Sequence, residues 1–368
     1  MANETLSKAK EAKNDEFYTQ YHDIEREVEA YLEYNPDVFK GKTVLLPCDD
    51  PEWSNFTRYF AQNFERLGLK KLISTSYAVE SKKIKEWQPT LFETESPYYD
   101  ADKSRTNGKI FVLNEDINDD GCFNINDLQW SYLEGDGDFR SKEVCKLRDE
   151  ADIIVTNPPF SLFREFLAWI LEAEKKLILI ANKNCITYKE VFPLFKQNKL
   201  WVGKTPMSED LLFEIPQSYV ADFIQYGKEG SKYKIVDGKV LGRSTSIWMT
   251  NIEHGRRHQP LQLMTWEDNL KYSKHKEIKG RLGYDHYDNY DAIEVPYTDA
   301  IPSDYDGAMG VPVSFLDKYC PEQFEILGAT ESEGKGFSNG LWNKYSKTTQ
   351  PLIAGERVYK RLFIRKKQ

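Results

Sequence analysis

The sequence has few cysteines, and no two of them form a Cys-x-x-Cys pair. The five are scattered widely along 368 residues, at Cys48, Cys122, Cys145, Cys185 and Cys320. An odd number at such spacings argues against a disulfide framework and against a structural zinc site. The five histidines, including His254 and His258, show no metal-ligand spacing either. We therefore expect no bound metal.

Long apolar runs are also missing. No stretch approaches the roughly 20 apolar residues that cross a bilayer, and the polar N-terminus lacks the apolar core of a signal peptide. With 40% hydrophobic and 30% charged residues, the chain is globular rather than disordered. We expect a cytoplasmic protein with no membrane partner. Its length suggests two domains, or one large domain with an appendage.

Positive charge is scarce overall, because the net charge is −9. Residues 356–368 hold six cations against one glutamate, so this tail carries +5 and the remainder −14. Arg256, Arg257 and His258 form a smaller basic cluster. The distribution of charge matters more than its sum, so both clusters are candidate phosphate contacts. The alternative is a solvated tail that aids solubility.

Apolar runs rich in β-branched residues alternate with helical stretches over the first two thirds of the chain. Buried strands are predicted at 42–47, 71–77, 152–157, 176–181, 211–215 and 246–251. Apolar residues at helical spacing predict helices over 55–67 and 161–173. This alternation predicts an α/β fold with a mostly parallel sheet and helices on both faces.

The periodic pattern weakens between 81 and about 129, which we interpret as an insertion. From about residue 255 the alternation stops, and Gly, Pro, Tyr and Asp dominate. The sequence therefore predicts one domain over 1–254 and a distinct, loop-rich region over 255–368. We find no internal repeats.

The tetrapeptide Asn157-Pro158-Pro159-Phe160 directly follows a predicted strand and precedes an amphipathic helix. Ligands of such sheets bind beyond the carboxyl ends of the strands. That rule places the tetrapeptide at one rim together with the residues that follow the first two strands, Pro47, Cys48, Asp49, Asp50 and Tyr77. The alternative interpretation of the tetrapeptide is a rigid strand-to-helix connection.

The tetrapeptide suits the activation of an aromatic amine, which is a weak nucleophile because its lone pair is delocalised. The Asn157 side-chain oxygen and the Pro158 carbonyl can accept the two amine hydrogens and expose the lone pair. Consecutive prolines fix the backbone, so the acceptors are preorganised. Phe160 can stack on the base that carries the amine. A base inside a duplex must first flip out.

Four motifs extend this pattern: DEFYTQ (15–20), LLPCDDPEWSNF (45–56), LEGDGDFRS (133–141) and VTNPPF (155–160). Together they resemble the EcoRI-type adenine-specific DNA methyltransferases, a branch of the amino-methyltransferases. The cofactor motifs come first, then the catalytic tetrapeptide, then the target-recognising region. This order is the gamma arrangement of that larger group.

The resemblance implies a Rossmann-like, S-adenosylmethionine-dependent methyltransferase domain over 1–254 and a DNA-recognition region over 255–368. It implies that an N-terminal motif closes over the methionine part of the cofactor, with Phe17, Tyr18 and Thr19. Pro47, Cys48, Asp49 and Asp50 match the first-strand cofactor motif. Asp138 and Phe139 match the pair that reads the cofactor adenine by a hydrogen bond and by stacking. The catalytic residues are Asn157, Pro158, Pro159 and Phe160.

Two features depart from the common methyltransferase pattern. The first-strand motif contains no glycine, and no acid ends the second strand to bind the ribose, the nearest being Glu80. Tyr77 is therefore expected to pack against the cofactor adenine. Asp49 and Asp50 have the alternative role of capping the next helix, and Asp138 that of a local turn residue.

DNA contacts are expected in the C-terminal region. Arg357, Lys360, Arg361 and Arg365 alternate with apolar residues and are predicted to contact phosphates, as are Arg256 and Arg257. The segment 334–347 supplies Asn339, Asn343 and Lys344 for groove contact, or for a wedge that fills the gap left by a flipped base. The expected partner is double-stranded DNA.

Other substrates and partners stay open at this point. Related tetrapeptides methylate cytosine amines, RNA adenines and protein glutamines, and a catalytically inactive DNA-binding protein is a further alternative. Asparagine at the first position fits adenine or glutamine better than cytosine. We expect a monomer from a bacterial or phage-infected cell. A restriction endonuclease of the same system would act without a stable complex.

Overall fold

A computed structural model describes residues 18–49, 52, 54–78, 89, 91–115, 127, 129–215, 217–330, 338, 340–343 and 345–367. The described chain divides into two compact units. The first contains the chain up to Asn182 together with Glu209–Ile252, and the second contains Lys183–Ser208 together with Glu253–Gln368. The segment 183–208 therefore packs with the C-terminal part of the chain, although the sequence analysis assigned it to the first domain.

The first unit is built around a mixed sheet. Seven of its strands pair in the order β5-β4-β3-β2-β6-β7-β12. Their bounds are β2 Thr43–Leu46, β3 Lys71–Thr75, β4 Lys109–Leu113, β5 Gln129–Tyr132, β6 Ile153–Thr156, β7 Lys176–Asn182 and β12 Ser246–Thr250. Strands β3, β2, β6 and β7 are parallel neighbours, whereas β4, β5 and β12 pair antiparallel. The sheet is thus mixed rather than mostly parallel.

The parallel strands form where the sequence has continuous apolar runs. Every residue of β2 and of β6 is buried, as expected for strands covered on both faces. Val44, Val155 and Ile178 belong to one core cluster with aromatic residues of the flanking helices. Five predicted strands of this sheet are therefore confirmed, with ends that differ by one or two residues.

A second, antiparallel sheet completes the first unit, in the order β1-β9-β11-β10. Its strands are β1 Tyr18–Thr19, β9 Leu211–Glu214, β10 Tyr233–Val236 and β11 Lys239–Ser244. The predicted strand at 211–215 is confirmed as β9, but it belongs to this sheet and not to the larger one. The register pairs Thr19 with Phe213 and Arg243 with Leu212.

The described helices of the first unit are α1 Tyr21–Tyr34, α2 Asn55–Gln62, α3 Phe64–Leu67, α4 Leu91–Thr94, α5 Lys103–Thr106, α6 Lys142–Glu150, α7 Phe163–Glu172 and α9 Gln217–Tyr226. The predicted helix over 55–67 is divided at Asn63, which has φ −109°. Its side-chain nitrogen donates to the Tyr59 carbonyl at 2.9 Å, so the side chain competes with the helical bonds. The predicted apolar face, including Phe56 and Phe60, is buried.

The predicted insertion contributes to the central sheet. Strand β4 lies inside the segment where the sequence analysis placed no strand, and it pairs with β3 from Leu72 to Thr75. Its burial alternates. A short alternating run of five residues gives a weaker signal than a continuous apolar run.

The second unit contains α8 Phe192–Lys196, β8 Trp201–Val202 and α10 Trp266–Tyr272, and a four-stranded sheet in the order β13-β14-β18-β15. The sheet strands are β13 Ile293–Glu294, β14 Met309–Pro312, β15 Phe324–Ala329 and β18 Arg361–Lys366, beside a hairpin of β16 Leu352–Ile353 and β17 Glu356–Arg357. The basic tail is therefore largely a strand. Leu362, Phe363 and Ile364 are fully buried between its cations.

Candidate active site

The catalytic tetrapeptide lies where the sequence placed it, at the carboxyl end of β6. Residues 160–162 form one 3-10 turn and lead directly into α7. Pro158 is buried, whereas Asn157, Pro159 and Phe160 are half-buried. The strand before the tetrapeptide and the helix after it are both confirmed.

Two local features hold the tetrapeptide in place. Pro159 has φ −61° and ψ 117°, the extended backbone that a proline ring favours. Its carbonyl accepts a hydrogen bond from the Leu162 amide at 3.0 Å, which closes the turn. The Phe160 ring packs partly against the core cluster. A stacking role for Phe160 stays a prediction.

Asp49 connects the first-strand motif to the residue that precedes the tetrapeptide. Its carboxylate is buried and accepts from the Ser54 hydroxyl at 2.9 Å and from the Thr156 hydroxyl at 2.6 Å. Thr156 directly precedes Asn157. Both carboxylate oxygens thus accept hydrogen bonds within the protein, and one of these bonds positions the end of β6. The cofactor role and the helix-capping role of Asp49 stay predictions.

The hydroxyl groups around Asp49 fix the neighbouring strand as well. The Asp49 carbonyl accepts from the Ser74 hydroxyl at 3.0 Å, and Ser74 exchanges a 2.8 Å bond with Thr57 on α2. Thr75 donates to the Pro47 carbonyl at 3.1 Å. Buried hydroxyls are satisfied in pairs here, which favours one arrangement of the ends of β2 and β3. The rim is therefore a rigid support.

The N-terminal motif reaches the same part of the unit. Asn55, the first residue of α2, donates its side-chain amide to the Thr19 carbonyl at 2.9 Å. The Thr19 hydroxyl is buried, and it has no hydrogen-bond partner within the described residues. Tyr18 pairs with Glu214 in the smaller sheet. Phe17 and Asp50 lie outside the described residues, so their predicted roles stay predictions.

The loop 133–141 packs against the end of β3. The Ala78 amide donates to the Asp136 carbonyl at 2.7 Å. Gly137 has φ +83°, and a Cβ there would lie 2.2 Å from the Ser76 carbonyl oxygen. Only glycine permits both this backbone conformation and this close approach. The loop therefore runs alongside the segment 76–78, in which Tyr77 is half-buried.

Asp138 is ionised and held by its neighbour. Arg140 donates to both carboxylate oxygens, at 2.9 and 2.6 Å, and its backbone amide donates at 2.8 Å. The hydrogen bonds from the Arg140 guanidinium lower the pKa of the Asp138 carboxyl, although partial burial opposes them. The sequence analysis missed Arg140, although it follows Asp138 by two residues. An ionised carboxylate can accept a hydrogen bond from an amine.

Phe139 is buried in the protein. Its ring meets those of Phe166 and Trp169 edge-on, with centroids 5.1 and 5.6 Å apart. The Arg140 guanidinium carbon lies 5.4 Å from the Phe139 ring centroid. The observed role of Phe139 is to pack loop 133–141 against α7. Its stacking on a cofactor adenine stays a prediction.

A buried ionic cluster lies beside the end of β3, and the sequence analysis missed it. The Lys109 ammonium contacts Glu52 and Glu93, each at 2.8 Å, and all three side chains are less than 10% exposed. Tyr132 and Ser104 also donate to Glu93, at 2.7 and 2.6 Å. The Lys109 backbone bonds to Ser76, next to Tyr77. The cluster brings Glu52, from the first-strand motif, to the end of the second strand.

The structure places several predicted phosphate contacts inside the second unit. Arg257 is buried, its guanidinium carbon lies 3.9 Å from the Trp201 ring centroid, and it pairs with Glu253 at 2.9 Å. Arg256 pairs with Asp317 at 3.1 Å and donates to two backbone carbonyls. Arginines held in this way stabilise a fold. We do not include them in a DNA-binding surface.

The four tail cations that were predicted to contact phosphates differ in exposure. Arg361 is half-buried, with 12% of its side chain exposed, and it pairs with buried Glu294 at 2.6 Å. Lys360 donates to the Thr187 hydroxyl at 3.1 Å. Arg357 is exposed, and Arg365 is exposed beside Glu325 at 2.7 Å. Exposed Arg357 and Arg365 can reach a phosphate, whereas Arg361 has an internal role.

The predicted groove segment is described in part. Asn343 is exposed, and its side-chain oxygen accepts from the Tyr345 amide at 3.0 Å. Tyr345 and Tyr359 are 83% and 86% exposed, and these rings are absent from the sequence-based predictions. Asn339 and Lys344 lie outside the described residues. The described part of the segment therefore offers the exposed Asn343 side chain and the exposed Tyr345 ring, and exposed Tyr359 follows it in the tail.

The part of the chain that the structure describes shows neither a metal site, nor a disulfide, nor a membrane-spanning helix. There, no group of three or more His, Cys, Asp and Glu side chains has the arrangement of a metal site. No disulfide joins the described cysteines. No described helix has the length and the apolar character that a membrane span requires.

The fold and the site define a class of protein. A large mixed sheet with flanking helices presents Asn-Pro-Pro-Phe at the carboxyl end of a parallel strand, and the buried Asp49 carboxylate holds the residue before it. These are features of an amino-methyltransferase. A family model described as adenine-specific methyltransferase EcoRI matches residues 5–367. The chain belongs to this family of adenine-specific methyltransferases, and the family implies S-adenosylmethionine as its methyl donor.

Individual relatives agree with the family match. The chain is 42% identical over 325 residues to the type II methyltransferase M.EcoRI of Escherichia coli, covering 88% of this chain and 89% of the relative. It is 31% identical over 367 residues to the type II methyltransferase M.MpnI of Mycoplasma pneumoniae, covering 99% and 98%. A Mycoplasma genitalium relative, M.MgeORF184P, is also 31% identical, with 99% of each chain covered. No solved structure matches.

Proposed function

We propose that this protein transfers a methyl group from S-adenosylmethionine to the N6 amine of an adenine within one specific sequence of double-stranded DNA. One observation carries the proposal. Asn157-Pro158-Pro159-Phe160 lies at the end of β6, and Thr156 before it is held by Asp49 of the first-strand motif. The acceptors for the amine and the cofactor motif are thus parts of one rigid support.

We infer that the sheet of the first unit is a Rossmann-like methyltransferase sheet and that the cofactor binds along its carboxyl rim. Two observations fit such a ligand. The buried Thr19 hydroxyl has no partner within the described residues, so it suits a polar group of the methionine part. The ionised Asp138 carboxylate suits the adenine amine. Bound there, S-adenosylmethionine supplies an electrophilic methyl group on its sulfonium.

The residues of the tetrapeptide act by positioning and electrostatics. The Asn157 side-chain oxygen and the Pro158 carbonyl accept the two hydrogens of the adenine amine. The nitrogen then moves towards sp³ geometry, and its lone pair points at the methyl donor. The prolines keep the acceptors in place, so little reorganisation accompanies the reaction. No covalent intermediate and no strong base are needed.

The target adenine leaves the duplex before it reaches the tetrapeptide, because its amine is inaccessible in the base stack. We propose that Phe160 stacks on the flipped base. The second unit supplies the DNA contacts, with Arg357, Lys360 and Arg365 at phosphates and Asn343 in a groove. Asn339 and Lys344 are proposed for the same groove from the sequence alone. Exposed Tyr345 and Tyr359 offer rings beside this set.

We also propose a monomeric cytoplasmic protein of a bacterial or phage-infected cell. The relatives are type II methyltransferases, so a restriction endonuclease of the same specificity is the expected companion. It would recognise the same DNA independently, without a stable complex.

Sequencing of modified bases in DNA from cells that express the protein tests this proposal. We expect N6-methyladenine at one sequence context, and none in cells that express Asn157→Ala. Methylcytosine at that context would place the chain among the cytosine enzymes. Unmodified DNA, together with tight binding to duplex DNA, would point to an inactive DNA-binding protein.

Two arginines of the tail allow a matched comparison of a structural arginine, Arg361, with a proposed phosphate contact, Arg357. Arg361→Ala is expected to lower the free energy of unfolding by about 2 to 3 kcal/mol, because Glu294 then stays buried without its cation. It should leave the salt dependence of DNA affinity unchanged. Arg357→Ala should leave the stability unchanged and lower the slope of log affinity against log salt by about 0.9. Urea unfolding and binding at several salt concentrations distinguish the two, and the opposite assignment would contradict the structure.

A further inference from the structure

A second basic element lies outside all the predicted DNA contacts. The segment 271–282, which we call the basic loop, contains Lys271, Lys274, Lys276, Lys279 and Arg281 against the single acid Glu277. It therefore carries +4, and the rest of the chain carries −13. All five cations are exposed. Two of them form ion pairs, Lys274 with Asp299 at 2.7 Å and Arg281 with Asp285 at 2.6 Å. With these two acids counted, the element still carries +2.

The basic loop is anchored rather than loose. Ile278 is buried, and the Gly280 amide donates to the Leu270 carbonyl of α10 at 2.8 Å. The His275 ring stacks on Tyr297 with centroids 3.6 Å apart and planes 2° apart, and it bonds to Asp299 at 2.7 Å. An anchored loop loses little conformational entropy when it binds a partner. Its shape is therefore suited to a defined contact.

The tip of the basic loop is an apolar side chain. Leu282 is 105% exposed, more than any other large hydrophobic residue of the described chain. Two fixed neighbours hold it there. Arg281 bonds to both carboxylate oxygens of Asp285, at 2.6 and 2.7 Å. On the other side, the Tyr284 ring meets Trp266 edge-on at 4.6 Å, and its hydroxyl donates to the Ala300 carbonyl.

A single exposed leucine needs no explanation by itself. Here it stands at the end of an anchored loop that carries five exposed cations, and this combination matches two needs of DNA recognition. Phosphate contacts by lysine or arginine fix the position of a protein on DNA, and contacts with bases supply the specificity. Apolar side chains contact thymine methyl groups or enter the base stack.

We propose that the basic loop is a DNA-contacting element, in which Lys276 and Lys279 bind phosphates and Leu282 contacts bases. The inference rests on the proposed DNA substrate. It adds a contact region that is separate in sequence from the tail and from segment 334–347. Leu282 provides discrimination between sequences, whereas the two lysines provide affinity for any sequence.

Equilibrium binding to two duplexes tests the division of roles. One duplex carries the sequence that the protein methylates, and the other carries a scrambled version. Leu282→Ala is expected to reduce the ratio of the two affinities about ten-fold, since a buried leucine contact is lost. Leu282→Met keeps an apolar side chain of similar size and should retain most of the ratio. Because Leu282 is fully exposed, neither variant should change the melting temperature.

The lysines are tested by the salt dependence of binding. The double variant Lys276→Gln, Lys279→Gln should bind both duplexes more weakly, by the same factor. The slope of log affinity against log salt should fall by about 1.8, or about 0.9 for each phosphate contact. The matched control is Lys40→Gln with Lys70→Gln. These two exposed lysines lie near the amino ends of β2 and β3, away from the carboxyl rim, and this control should leave the slope unchanged.

The possible outcomes distinguish a failure of the DNA-binding role of the loop from a failure of the proposed methyl transfer. An unchanged affinity ratio in Leu282→Ala, or an unchanged salt slope in the lysine variant, would overturn the role of the loop even while the wild type methylates DNA. A change of oligomeric state in Leu282→Ala, with DNA binding unaffected, would assign the tip to a contact between copies and overturn it too. If binding depends on the loop but the wild type transfers no methyl group, the proposed reaction fails and the loop stands.

Discussion

Asn157→Ala is expected to lower the kcat for methyl transfer about 10²- to 10³-fold, the range seen when one preorganised hydrogen-bond partner of a transition state is removed. The variant loses the side-chain oxygen that we propose as the acceptor of one hydrogen of the adenine amine. The lone pair then stays delocalised, and the nitrogen remains a weak nucleophile. Single-turnover transfer of labelled methyl groups to duplex DNA measures this step directly.

The conservative variant Asn157→Asp separates chemistry from structure. It keeps an acceptor oxygen at the same position, so it should retain more activity than Asn157→Ala. DNA affinity and melting temperature should remain close to the wild type in both variants, because the half-buried side chain lies after the end of β6. Equal rates in wild type and Asn157→Ala would remove the tetrapeptide from the mechanism.

The placement of the tetrapeptide was predictable because its signals are local. A continuous apolar run predicts β6, helical spacing predicts α7, and the prolines between them fix the connection. The contact that makes this connection a rigid support was not predictable. Asp49 and Thr156 are 107 residues apart, and no periodicity relates positions so distant in sequence.

Charge alone did not distinguish the exposed cations of the tail from the paired ones, for a related reason. Composition identifies the cations of residues 356–368, but it does not tell which guanidinium meets a buried acid. Arg361 meets Glu294, 67 residues away, whereas Arg357 stays exposed. The strand that carries Arg361 has three consecutive buried residues, 362–364, and it belongs to a sheet that the loop-rich composition of 255–368 did not indicate. The basic loop was missed because its cations are spread over 11 residues, 271–281.

Among the residues near the predicted cofactor site, local features were also predictable and contacts between distant residues were not. Glycine residues at 135 and 137 marked a turn in the sequence, and the structure explains Gly137 by its approach to the Ser76 carbonyl. The missing acid at the end of β3 drew attention to Glu80. The acids that actually lie beside this strand end come from 52 and 93, and Lys109 holds both. The three side chains meet because Lys109 begins β4. This strand was not predicted, because its short alternating pattern of apolar residues is a weak signal in the sequence.

Lys109→Met is expected to lower the free energy of unfolding by about 3 to 5 kcal/mol, the usual effect of removing one partner from a buried ionic group. Glu93 is completely buried and Glu52 nearly so. Without the ammonium, two carboxylates stay in a low-dielectric region with no cation between them. Methionine keeps the volume of the lysine stem, so the effect reports the charge rather than a cavity.

A surface pair provides the control. Lys71 also contacts a glutamate at 2.7 Å, Glu150, but both side chains are substantially exposed. Lys71→Met should therefore cost no more than about 1 kcal/mol. Urea unfolding of wild type and both variants, at pH 7 and constant salt, gives the comparison. Similar losses in the two variants would show that Lys109 contributes no more than an exposed ion pair.

The pH dependence identifies the charge as the cause. Burial by itself would lower the pKa of Lys109, but the hydrogen bonds and charges of Glu52 and Glu93 outweigh it and raise the pKa above 10.5. A raised lysine pKa contributes stability that is fully present below 10.5 and is lost as the pH rises through the folded-state value. The stability difference between wild type and Lys109→Met should therefore be constant from pH 7 to 10 and shrink above that range. A difference that stays constant at high pH would trace the loss to packing instead.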